Sequence, residues 1–171
     1  MLDVVSMNTE GEYAWTGASG MDGAPVAYHH LPYAPGGNIG MWRDVFEELA
    51  GFDEDLLRAE DVDFGWRASY LGVPVHFEPR AVLHRRLHTT PARLFRASIR
   101  GGVAEAALFH RHRARGMPRP TTREVVEIYR WLLTAVPDVV AGRADRHCWA
   151  HHLGKRLGRV AGSVRHRVRY L

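Results

Sequence analysis

Residues 36–84 read GGNIGMWRDVFEELAGFDEDLLRAEDVDFGWRASYLGVPVHFEPRAVLH, and this stretch decides the reading of the fold. Ile39, Trp42, Phe46 and Leu49 recur at helical spacing, which predicts a helix over 39–50 with Gly51 as its stop. GFDEDL then reads as a loop. EDVDFGWRASYL, residues 60–71, predicts a second helix closed by Gly72. Glu60, Asp61 and Asp63 fall in its first turn, where the helix dipole favours negative charge. VPVHFEP and AVLH are short β-type runs around Pro79. Helices followed by late strands read as part of an α/β unit.

Outward from this stretch the signals change. Residues 1–35 carry GASGMDG and LPYAPGG and read as irregular, with a short strand at 25–30. Thr90 before Pro91 gives an N-cap followed by proline at the first helical position, which predicts a helix from 91 to 114. Gly101 and Gly102 are a weak point inside it, each costing about 1 kcal/mol against alanine. Thr121 or Thr122 caps a helix at 123–136, and 138–147 is a polar link. A last helix over 148–169 aligns Leu153, Leu157, Val160, Val164, Val168 and Leu171 on one stripe.

The chain has 171 residues, 46% apolar and 25% charged, which excludes disordered, collagen-like and low-complexity classes. No apolar run reaches the roughly 18–20 residues that span a bilayer. The start MLDVVSMNTEGEYAW lacks a basic then apolar pattern, so no signal peptide is expected and the cytoplasm is the expected location. The single cysteine, Cys148, excludes an internal disulfide and a thiolate metal cluster. Residues 1–66 hold 13 acidic and 2 basic residues, whereas 67–171 hold 6 acidic and 21 basic. An acidic front and a basic back imply two surfaces with different partners.

The densest chemical constellation runs from Gly36-Gly37-Asn38 through Gly51-Phe52-Asp53-Glu54 and Glu60-Asp61-Val62-Asp63 to His84. Glycines allow close backbone approach to a ligand. A carboxylate opening a helix can accept a proton from a hydroxyl. A neutral imidazole at a strand end can ligate a divalent metal. Each feature alone also has a plain structural meaning: a turn, a dipole-favoured charge, a strand-end histidine. Trp42, Phe46 and Trp66 read as core, with Trp66 able to border a pocket. His110, His112, His147, His151, His152 and His166 lie among arginines and read as solvated.

In this order and at these spacings, the motifs over 31–88 resemble the acceptor-side half of family-2 glycosyltransferases with the type-A fold. The matching residues are Gly36-Gly37-Asn38, Trp42-Arg43, Gly51-Phe52-Asp53-Glu54, Glu60-Asp61, Arg67 and His84. The resemblance implies a partial α/β domain over 1–90, followed by a helical, basic extension over 91–171. It implies transfer of a sugar from a nucleotide-sugar donor to an acceptor hydroxyl with inversion. Asp61 matches the general base. Glu60, Asp63 and Trp66 would contact the acceptor, and Gly37 and Asn38 would line the floor. His84 would hold a divalent ion, Mn or Mg, with His88 as a competitor. The family's nucleotide-binding half, with its Asp-x-Asp motif, has no counterpart here, so a truncated form is expected.

The alternative is an inactive remnant that binds a membrane surface or a partner through its basic tail. There Lys155, Arg156, Arg159, Arg165, Arg167 and Arg169 flank the apolar stripe. Such a chain would sit at the inner face of the membrane, and lipid-linked acceptors would suit it. Gly154, Gly158 and Gly162, four residues apart, would instead admit a second helix closely. Nucleic acid is the least favoured partner, because no binding motif accompanies the charge.

Overall fold

The structure is a computed structural model and describes residues 2–3, 23–84 and 90–171. Its elements are β1 (Leu2–Asp3), β2 (Val26–Ala27), β3 (Leu31–Pro32), α1 (Arg43–Glu48), α2 (Glu60–Tyr70) and β4 (Leu83–His84). There follow α3 (Pro91–His112) with a 3-10 turn at Arg113–Arg115, α4 (Thr122–Thr134), α5 (Val136–Val140) and α6 (Arg146–Arg165). The described residues are thus mostly helical with few strands. His88 lies outside them.

The strands form two small pairs. β1 runs parallel to β4, with Leu2 opposite Leu83 and Asp3 opposite His84. β2 and β3 form an antiparallel hairpin where the sequence predicts one strand at 25–30. The run at 73–79 joins no ladder among the described residues. Pro74 and Pro79 lack the N–H that a ladder uses. The helix expected over 39–50 shrinks to α1, because Trp42 at its start has extended backbone. It stops at Ala50 and Gly51, both left-handed. Trp42 is 80% exposed, against its expected place in the core.

α3 and α4 begin where the sequence places them, whereas α5 enters the expected link at 138–147 and α6 starts two residues before the expected 148. The Thr90 hydroxyl accepts the Arg93 N–H ahead of Pro91. Thr121 and Glu124 form a reciprocal capping box on α4. Asp145 caps α6 through the His147 N–H.

The main packing joins α3 to α6. A Cβ on Gly102 would overlap the Lys155 carbonyl oxygen, and one on Gly158 would overlap the Ile99 carbonyl oxygen. The helices therefore meet backbone to backbone, and Gly154 and Gly162 extend the same contact. This corrects the apolar stripe. Leu157, Val160 and Val164 are exposed, while Gly154, Gly158, Arg159, Gly162 and Ser163 are buried. The glycine face wins because it brings more atoms within dispersion distance than a branched face can. Gly102, read as a weak point, is the site of closest approach.

A charged cluster crosses the same interface. Glu105, 2% exposed, takes Arg159 Nε at 2.5 Å and Lys155 Nζ at 2.8 Å. The Tyr28 hydroxyl donates to it at 3.2 Å. Burial would raise the Glu105 pKa, but the charges of Lys155 and Arg159 outweigh burial and hold it below the usual carboxylate range.

His151 shares a 2.9 Å hydrogen bond with the Ser98 hydroxyl in this interface, so it is not the solvated residue the sequence suggests. Burial first, then Lys155 and His152, push its pKa down to about 4 from 6.5. Between these values the unfolded chain binds a proton that the native ring does not. Stability is therefore complete above pH 6.5 and falls as the pH drops towards about 4. Thermal melts at pH 7 and pH 4.5 should show a smaller acid loss for His151→Gln than for the parent chain. An equal loss would remove His151 as the cause.

The core lies where α2 meets α3. Trp66, Ala106 and Leu108 are fully buried, with Leu56, Val62, Phe109, Met117 and Tyr170 around them. Trp66 donates its indole N–H to the Leu31 carbonyl at 2.9 Å. Residues on both sides of position 90 contribute to this cluster.

Candidate functional site

Asp61 stands in the first turn of α2. Its Oδ2 accepts the Gly36 N–H at 2.8 Å, and its Oδ1 accepts the Val62 N–H at 2.8 Å. The turn at 36–38 can approach so closely because Gly36 lacks a side chain; a Cβ there would lie 3.3 Å from the Asp61 Cβ. Asn38 Nδ2 donates to the Ala81 carbonyl at 2.7 Å, just before β4. Gly37 lies over the Leu83 side chain, within 3.1 Å of where its Cβ would be. Three separate segments, the 36–38 turn, the acidic start of α2 and β4, are therefore joined at one place. His84 ends β4 and is exposed.

A cleft of about 380 Å³ opens beside the turn, lined by Tyr33, Gly37, Asn38, Val75, Ala81 and Leu83 among others. A second, of about 420 Å³, lies across Ile39 and Gly40, against Trp42 and Phe64. Glu60 is half-buried next to Asp61 and has no hydrogen bond or ion pair among the described residues.

Two expected site residues are placed elsewhere. Asp63 is 3% exposed and Trp66 is 0% exposed. Neither reaches the clefts. Helical periodicity turns Val62, Asp63 and Trp66 towards α3 and leaves Asp61 towards the turn. The acceptor-contacting roles expected for Asp63 and Trp66 do not fit this placement. Trp66 packs in the core, and Asp63 is held by His112 and Arg67.

Asp63 anchors a buried polar chain that the sequence reading missed. His112 Nε2 donates to Asp63 Oδ1 at 2.9 Å, and Arg67 Nε donates to Oδ2 at 2.7 Å. The Tyr70 hydroxyl lies 3.1 Å from His112 Nδ1 and 2.9 Å from His30 Nε2. Burial would raise the Asp63 pKa, yet the hydrogen bonds from His112 and Arg67 prevail and hold it low. Arg67 also donates to the carbonyls of Leu49 at 2.5 Å and Gly51 at 2.7 Å, fixing the start of the 51–54 loop. Arg111 pairs with Asp53 and ties that loop to α3. His112 is 4% exposed, which corrects its reading as solvated. One signal was available. Glu105, Leu108, Phe109 and His112 share a helical face, and all four are buried.

Among the described residues no three His, Cys, Asp or Glu side chains gather to hold a metal ion. His84, where the ion is expected, belongs to no such group among the described residues. No family model matches the chain, and neither a curated protein nor a solved structure matches it.

Proposed function

We propose that this chain is the acceptor-side part of an inverting, nucleotide-sugar-dependent glycosyltransferase with a partial α/β type-A domain. The observation that carries the reading is the 2.8 Å bond from the Gly36 N–H to Asp61. It ties the glycine turn to the one carboxylate that the motif pattern assigns as base. Two backbone donors orient Asp61, while each carboxylate oxygen keeps a further lone pair for an incoming proton. Asp61 takes the proton of the acceptor hydroxyl as its oxygen bonds to the anomeric carbon. The bond from that carbon to the diphosphate breaks, and the nucleoside diphosphate leaves with the electron pair. Gly37 and Asn38 form the floor beside the cleft, and Glu60 orients the acceptor.

A transfer assay over a panel of nucleotide sugars, read as nucleoside diphosphate release, tests this. Asp61→Asn keeps the shape of the side chain and is expected to lower the rate about 10²–10⁴-fold, the usual worth of a general base. Equal rates for the two proteins would end the proposal.

A second reading is favoured by the outer face of α6. Leu157, Val160 and Val164 are 48%, 42% and 76% exposed on one stripe, with Arg165, Arg167 and Arg169 exposed just beyond. That pattern suits peripheral contact with an anionic membrane face and does not require transfer activity. No helix among the described residues is long and apolar enough to cross a membrane. Flotation with anionic vesicles, lost in Leu157→Asp/Val164→Asp, is the expected result. Flotation unchanged by those substitutions would exclude α6 as the contact.

A further inference from the structure

A groove of about 520 Å³ separates the 55–58 loop from α3 and the end of α6. It shares no lining residue with either cleft beside Asp61. Arg58, Arg100, Arg111 and Arg165 line it from three different segments. Arg111 is paired with Asp53. Arg58, Arg100 and Arg165 have no ion-pair or hydrogen-bond partner on their side chains among the described residues. Asp55 supplies the one acidic side chain of the lining, so positive charge prevails. His166 completes this end. Burial, then the charges of Arg165, His110 and Arg111, hold its ring below the usual imidazole range.

The floor has a different chemistry. Leu57, Ile99, Val103 and Ala107 are aliphatic, and no Phe, Tyr or Trp ring lines the groove. Leu57 is 88% exposed there. A planar base would find no ring but that of His166 to stack on. A hydrocarbon chain would cover these side chains and take their apolar surface out of water. Guanidinium groups are matched in shape to phosphate oxygens. We propose that this groove binds a phosphate monoester carried on an aliphatic chain. The proposal rests on the groove alone and not on the role of Asp61.

Isothermal titration with monomeric dihexanoylphosphatidic acid tests it, beside inorganic phosphate and dihexanoylphosphatidylcholine. The phosphatidic acid should bind at least tenfold more tightly than either. Arg100→Glu/Arg165→Glu should weaken it at least tenfold, and Arg100→Gln/Arg165→Gln by less. Arg93→Glu, exposed on α3 away from the groove, should leave affinity unchanged. Equal affinity for inorganic phosphate would overturn the aliphatic part of the site. Equal affinity for phosphatidylcholine would overturn the selection of charge. Undiminished binding by both double variants, or equal weakening by Arg93→Glu, would overturn the location.

Discussion

Gly158→Ala is expected to lose about 3 kcal/mol of stability in a urea melt, at the top of the range for overpacking. The added methyl would meet the carbonyl oxygen of Ile99 and the Cα of Gly102, both backbone atoms of α3. A flexible side chain could rotate away, but backbone cannot. Relief requires α3 and α6 to separate along their shared length, which also loosens the contacts of Gly154 and Gly162. Gly101→Ala is the control. Nothing lies within 4 Å of a Cβ there, so only helix propensity acts, and a gain approaching 1 kcal/mol is expected. Equal stabilities for the two variants would show that the helices do not meet as described.

Glu105→Ala should cost about 3–5 kcal/mol, because it strips a buried cation of its partner. The Arg159 side chain is 8% exposed and would keep its charge after losing the Glu105 carboxylate. Lys155, at 27%, can swing its ammonium into water, so most of the loss falls on Arg159. Replacing both members, as Glu105→Met/Arg159→Leu, should recover most of the stability, since an apolar pair needs no compensation. A double-mutant cycle in denaturant reads the coupling directly. A Glu105→Ala variant as stable as its parent would mean that water already reaches the cluster. The pH sense is also fixed. A carboxyl held low in the native state adds stability above its unfolded value of 4.5, and that stability is lost as pH falls below it.

The same cluster shows why part of the tail could not be read locally. Lys155 and Arg159 belong, on sequence, to a row of basic residues facing solvent or lipid. Their partner, Glu105, stands about fifty positions away, and only the crossing of α3 over α6 brings it near. His112 was hidden in the same way. Its neighbours Arg111 and Arg113 suggest a wet surface, but its ring meets Asp63 across 49 positions. Asp63 and Asp61, two residues apart, look equivalent in an acidic turn. Periodicity sends one inward and leaves the other beside the glycine turn.

The sequence by itself determined the local features: the caps at Thr90 and Thr121, the acidic start of α2 and the close-approach glycines of α6. These depend on neighbours within one helical turn. It also named Gly36, Asn38 and Asp61 as one constellation through the order of their motifs. Only the tertiary structure decided which face of α6 is buried, which carboxylate of the first turn of α2 is buried, and which arginines gather around a groove. Those outcomes depend on contacts between residues far apart in the chain. There, close backbone packing outweighs the hydrophobic pattern of an isolated helix.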